Sequence, residues 1–191
     1  MNPLHLTPLA LAVTLLGASI ARPAPAAANG PADTSAAAAP ARVAPTPPLL
    51  VDPGDLGFGA TVVFTRIPTA PELHDLQYLE SVSHVVLQLP AWPAGIDALQ
   101  PLAQEALPEG ADLVVVLPGY PDTQAQSGAW NLLRRPVRII MVVTAPPENR
   151  EMVFRLNAIR GLERVVADLP RPSRAGFERL QRPLTFRVLM P

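Results

Sequence analysis

The sequence repeats one local pattern six times: a polar approach, a run of mostly apolar and often β-branched residues, and a proline that stops it. The clearest copy is GLERVVADLP, Gly161 to Pro170. The others are TVVFTRIP (61–68), SHVVLQLP (83–90), ADLVVVLP (111–118), VRIIMVVTAP (137–146) and LTFRVLMP (184–191). Val, Ile and aromatic side chains favour the pleated, half-buried surface of a sheet, and proline ends a strand because it has no N–H for the ladder. A strand with one wet face alternates apolar with polar residues, whereas one buried on both faces does not. These near-continuous runs therefore predict parallel strands covered by other elements.

Helical spacing fills the intervals. Thr69 and Glu72 stand three apart, as a capping box requires, with Leu73, Leu76 and Leu79 behind them. Ile96, Leu99, Ala103 and Leu107 can share one helical face, with Pro101 either bending that helix or sitting in its first turn. A third helix is expected around 124–133 despite Gly128. Met152, Val153, Leu156 and Ile159 make a helical stripe within 148–159, and Ser173 is placed to cap a short helix carrying Phe177 and Leu180.

Strand and helix alternate every 22 to 28 residues or so, the cadence of an α/β fold. About six mostly parallel strands with short helices can form an incomplete (β/α)-barrel-like sheet or an open parallel sheet. Eight units close a barrel, and six are visible before the chain stops at Pro191. That ending fits an incomplete barrel, a truncated product or an open sheet. A doubly wound dinucleotide-binding sheet lacks its glycines, because the first strand turns through Arg66-Ile67-Pro68-Thr69. A leucine-rich solenoid lacks its regular leucine spacing and asparagine ladder.

The first quarter of the chain is of another kind. Leu6 to Ala21 is mostly apolar and ends in Ser19-Ile20-Ala21, with small residues one and three positions before a cleavage point. Residues 1–21 thus read as a signal peptide, although the MNPLH start has neither Lys nor Arg. Of the 29 residues from 22 to 50, 18 are Ala or Pro, the composition of an unstructured linker. A single α/β domain is expected over 51–191, secreted or periplasmic. With no Cys in the chain it has no disulfide partner, and its stability must come from the core.

A formal net charge of −1 conceals segregation. Residues 51–133 carry ten acids against one Arg, and residues 134–191 carry twelve Arg against five acids. A sheet laid down in chain order would acquire one acidic and one basic side. Solvated helix faces, an anionic ligand on the basic half and head-to-tail association are all compatible with this. Nucleic acid is not an expected partner, because no aromatic residues interleave with the arginines.

Aligning the runs on their prolines, the residues two positions earlier are Arg66, Gln88, Val116, Thr144, Asp168 and Leu189. Side-chain alternation puts equivalent positions on one face, so these would share the carboxyl-end rim where α/β enzymes bind ligands. Asp168 is the candidate acid or base. Arg66 would clamp an anion or carboxylate, and Gln88 and Thr144 would orient a substrate. The structural alternative is an Arg66–Asp168 ion pair capping the core. Tyr120, Asp122 and Glu148 follow the third and fourth strands and would lie above the same rim. Trp92 and Trp130 could stack on a sugar, although Trp92 better suits core packing or partial exposure beside Pro93.

The chain contains no phosphate loop, HExxH, GxSxG, EF-hand or dinucleotide motif, and His74 and His84 have no metal or catalytic partner by spacing. No cofactor or metal is predicted. The expectation is an exported, non-catalytic binding or interaction module, its partner a carbohydrate or cell-surface component. The alternative is a TIM-barrel-like hydrolase, or a fragment of one, using Asp168 with Glu148 or Asp122 on a carbohydrate.

Overall fold

A computed structural model describes residues 56–57 and 59–187, together with Ala12 and Val13. The rest of the expected signal peptide, the linker at 22–50 and residues 188–191, with Leu189, lie outside the described residues. The strands are β1 (Ala12–Val13), β2 (Ala60–Phe64), β3 (Val82–Gln88), β4 (Asp112–Pro118), β5 (Arg138–Val143), β6 (Leu162–Asp168) and β7 (Leu184–Arg187). Helices α1 (Ala70–Leu76), α2 (Gln100–Gln104), α3 (Gln124–Ala129) and α4 (Arg150–Asn157) separate β2 to β6. Six strands of four to seven residues and the two-residue β1 form one all-parallel sheet in the order β1 to β7. The fold is α/β.

Strand order equals chain order, so the sheet has no point at which the order reverses, and a doubly wound arrangement is ruled out. Right-handed crossovers repeated in one direction put every helix on the same face. The core confirms this. Leu73, Leu76, Leu99, Leu102, Ala129, Trp130 and Leu156 from the helical segments join Val85, Leu87, Leu113, Val115, Leu117, Ile139, Met141 and Val165 in one cluster. The alternate strand positions Val86, Val114, Val116, Ile140, Val142 and Val166 form a second cluster with Leu56 on the opposite face. Val114, Val116 and Ile140 are 0% exposed there. Burial on both faces is the physical reason for the uninterrupted apolar runs. It also separates this fold from a leucine-rich solenoid, whose concave face is wet.

Pro101 takes a place in the first turn of α2, where its missing N–H is not needed. The core positions of that segment are Leu99 and Leu102, while Ile96 is 36% exposed. The chain enters α2 through a 3₁₀ turn at Ile96–Leu99, whose three-residue repeat selects 99 and 102 rather than the expected α-helical set. Helix α1 ends at Leu76, leaving Leu79 exposed beyond it. The helix expected after Ser173 does not form. Ser173 Oγ accepts from Ala175 N at 3.1 Å, closing a turn, and Gly176 follows at φ +85°, a conformation no helix contains. Phe177 still reaches the core.

The register slips twice, between Ala60 and Thr61 and between Ile139 and Ile140. At the second slip the chain runs through Gly161, where an added Cβ would lie 2.4 Å from the Val137 carbonyl oxygen. Only glycine lets β6 approach β5 this closely. Gly161→Ala should therefore lower unfolding free energy by about 1–3 kcal/mol, since backbone rather than a side chain must move. Gly128 in α3 has nothing within 4 Å of its would-be Cβ, so Gly128→Ala should leave stability unchanged or raise it by up to about 1 kcal/mol. Urea unfolding of the two variants side by side checks this, and equal effects would contradict the close approach at Gly161.

Candidate functional site

The proline alignment holds across one strand pair and fails at its neighbours. Gln88 does lie opposite Val116. Val116, however, pairs with Ile140, four residues before Thr144, or roughly 13 Å along a strand. Thr144 falls one residue beyond the Val143–Ala167 pair, level with Asp168 and exposed, whereas Gln88 is buried. On the other side Phe64 pairs with Leu87, so it is Thr65 that falls level with Gln88. Arg66 consequently has the opposite parity and reaches toward α1. The four candidates divide into Arg66 on the helix side, Gln88 at one level and Thr144 with Asp168 at another. A stagger of this kind between parallel strands is the shear that a curling sheet requires.

Arg66 and Asp168 both form ion pairs, though not with each other. Arg66 Nη1 and Nη2 donate to Glu72 Oε2 and Oε1 at 2.8 and 2.5 Å. The same carboxylate accepts from Thr69 N at 2.8 Å and Thr69 Oγ1 at 3.0 Å, which holds the first turn of α1. The Arg66 hydrogen bond, with the Thr69 donors adding to it, pulls the Glu72 carboxyl from its ordinary 4.5 down to about 2. Asp168 lies directly across the sheet from Arg187. Arg187 Nε donates to Oδ1 at 2.6 Å and Nη2 donates to Oδ2, so both oxygens of the buried carboxylate are engaged. The pattern is bidentate and charge-assisted.

The loops above the rim are tied back to the fold. Tyr120 donates its hydroxyl to Ala145 O at 2.9 Å, and burial raises its pKa. Trp92 Nε1 donates to Pro118 O at 2.9 Å, and Trp130 is buried in the core. Asp122 N donates to Gln126 Oε1 at 2.7 Å, and the Asp122 carbonyl accepts from Arg155. Glu148 is exposed. His74 is an exposed partner of Tyr78, and His84 is buried in β3 with neither ring nitrogen hydrogen-bonded. Among the described residues no three His, Asp or Glu side chains group closely enough to hold a metal ion.

The opposite, amino-terminal end of the sheet carries a charged belt that proline alignment cannot reveal. Glu163 is the extra residue at the β5–β6 slip, and such a bulge re-aims a side chain. Arg138 Nε donates to Glu163 Oε2 at 2.5 Å and Nη2 to Oε1 at 3.2 Å, while Nη1 reaches Asp112 Oδ2 on β4 at 3.2 Å. The Arg138 hydrogen bond lowers the Glu163 pKa. Open grooves of about 420 and 440 Å³ lie between the loops that precede β3 and β4 and those that precede β4 and β5. A usable sequence signal existed: Arg134, Arg135, Arg160 and Arg182 each fall two to four residues before a strand.

Replacing Asp168 with Asn should cost about 1–3 kcal/mol, because one charge-assisted bond is lost and Arg187 faces a neutral partner. Chemical denaturation reads it, and an unchanged midpoint would exclude a structural role. The Glu72 pair makes a separate prediction. A carboxyl whose folded pKa is depressed stabilises above its unfolded pKa, and that contribution is lost as pH falls from about 4.5 through about 2. Arg66 is 55% exposed and Glu72 30%, so screening limits the effect to at most about 1 kcal/mol. Comparing wild type with Glu72→Gln in melts between pH 7 and 2 should show the two curves converging at the acid end. In comparisons with known proteins, the chain matches no family model, no curated protein and no solved structure.

Proposed function

We propose that the protein is an exported, non-catalytic binding or interaction module whose α/β domain acts at the cell surface or in the periplasm. The observation that carries this reading is the engagement of Asp168. A general acid or base must present a carboxyl oxygen to substrate, and both oxygens of Asp168 are taken by the Arg187 guanidinium. Arg66, the proposed clamp, is committed to Glu72 at the start of α1. The Ser19-Ile20-Ala21 end of the apolar leader supports export, and the Ala/Pro-rich stretch supports a tethered domain.

The full chain is to be expressed with its leader, fractionated, and incubated with insoluble cell-envelope polysaccharide. The expected outcome is a shortened product outside the cytoplasm that sediments with the polysaccharide and releases no reducing ends. Turnover that disappears in Asp168→Asn while the melting temperature stays unchanged would overturn this reading in favour of a hydrolase.

A further inference from the structure

We infer that the amino-terminal end of β5, β6 and β7 is a preorganised binding surface for a polyanionic glycan, one bearing carboxylate, sulfate or phosphate groups at regular spacing. The inference deepens the binding-module reading and rests on it, but it places the contact at the end of the sheet opposite Asp168. Three adjacent parallel strands bring three loops together there. Arg134 and Arg135 precede β5, Arg160 precedes β6 and Arg182 precedes β7, while Arg138 and Arg164 lie at the strand starts. Glu163 is the one acid those three strands and the residues just before them supply at this end. It is neutralised by Arg138.

The loops are cross-linked, so their arginines do not move independently. Asn131 Nδ2 donates to Ala158 O at 2.8 Å, and Asn131 Oδ1 accepts from Arg160 N at 2.8 Å, which locks the turn before β5 to the turn before β6. Asn157 does the same one step further, donating to Arg179 O and accepting from Gln181 N, both at 2.9 Å. Arg182 Nη2 donates to Ile159 O at 3.3 Å. Arg134 and Arg160 are exposed and make no ion pair among the described residues. Arg135 lines the 440 Å³ groove, where burial lowers its pKa and the charge of Glu105 only partly opposes this. A guanidinium held in that condition gains from an incoming anion, and its planar fork matches carboxylate, sulfate or phosphate oxygens two at a time.

The surroundings favour a glycan over other polyanions. Among the described residues the three loops present no exposed aromatic ring to stack on bases, Trp130 being buried and the exposed Phe154 lying on α4, and Leu132, at 63% exposure, is one apolar side chain where insertion into a bilayer needs an apolar face. Glu109 and Asp112 form the far wall of the groove, which confines the anionic chain to the β5–β7 side.

The test measures binding of the full chain to heparin, as the probe polyanion, across a salt series. Neutral dextran, phosphatidylglycerol vesicles and duplex DNA are run beside it. Arg134→Gln with Arg160→Gln removes two charges that hold no structural bond. Arg171→Gln with Arg174→Gln removes two from the exposed connection at the other end of the sheet. Heparin affinity should fall at least about tenfold, with a shallower salt slope, in the first pair and change little in the second. Both pairs should melt like the wild type. Equal losses in the two pairs, no heparin binding by the wild type at low salt, or tighter binding to vesicles or DNA would each overturn the assignment. Capture by envelope polysaccharide that survives Arg134→Gln/Arg160→Gln would leave the binding module standing and remove only this site.

Discussion

Everything in this fold depends on a parallel sheet that is dry on both faces. Helices pack against Val85, Val115 and Met141, and the other face buries Val86, Val114, Val116 and Ile140. Those positions leave no room for polar side chains along the middle of a strand, because each would need a partner the core does not supply. Polar chemistry is thereby driven to the two ends of the sheet and to the loops. At the carboxyl end it takes the form of ion pairs that tie elements together, Asp168 to Arg187 and Arg66 to Glu72. At the amino end it takes the form of a row of arginines.

The α/β architecture was legible because it follows from composition within each run. A strand's hydrophobic pattern reports how many of its faces are covered, and a closing proline reports where its ladder stops. The capping box at Thr69 and the stripe through Val153 and Leu156 were legible for the same local reason. Register was not. Closing prolines trail the observed strand ends by zero to four residues, neighbouring strands pair wherever side chains on both faces fit, and between β4 and β5 that fit offsets the two prolines by four residues. A one-residue displacement moved Arg66 to the other face, as any odd shift must. Partner choice was equally hidden. Arg187 sits in the sixth run, two residues before the position selected by the alignment, and its meeting with Asp168 depends on which residue of β6 faces which residue of β7. The expected helix after Ser173 failed for a different reason: Phe177 and Leu180 have the right spacing, but Gly176, immediately before Phe177, adopts a positive φ against the Pro147 ring.

The segregation of charge along the chain acquires spatial meaning through the strand order. In a sheet whose order doubles back, acidic and basic halves of the sequence interleave. Here order follows the chain, so the acids of 51–133 belong to β2–β4 and their connections, and the arginines of 134–191 belong to β5–β7 and theirs. Arg138 stands on the seam, bonded to Asp112 on the acidic side and to Glu163 on its own. With the seam neutralised in this way, Arg134 and Arg160 make no ion pair among the described residues, while Arg135 still feels the charge of Glu105.

Whether such a row is a binding surface or merely a solvated edge turns on rigidity rather than on charge count. Loose exposed arginines contribute little, since each must lose side-chain freedom on contact and salt screens what is gained. Anchored backbone changes that balance, because part of the ordering is already done before a ligand arrives. Asn131 and Asn157 supply the anchoring, each using both the donor and the acceptor of one amide to bridge two turns. Two such bridges across three consecutive loops fix the origins of Arg134, Arg160 and Arg182 relative to one another. A ligand that spans them meets a set of charges at fixed separations, which selects for a chain with regularly spaced anions over a single small ion.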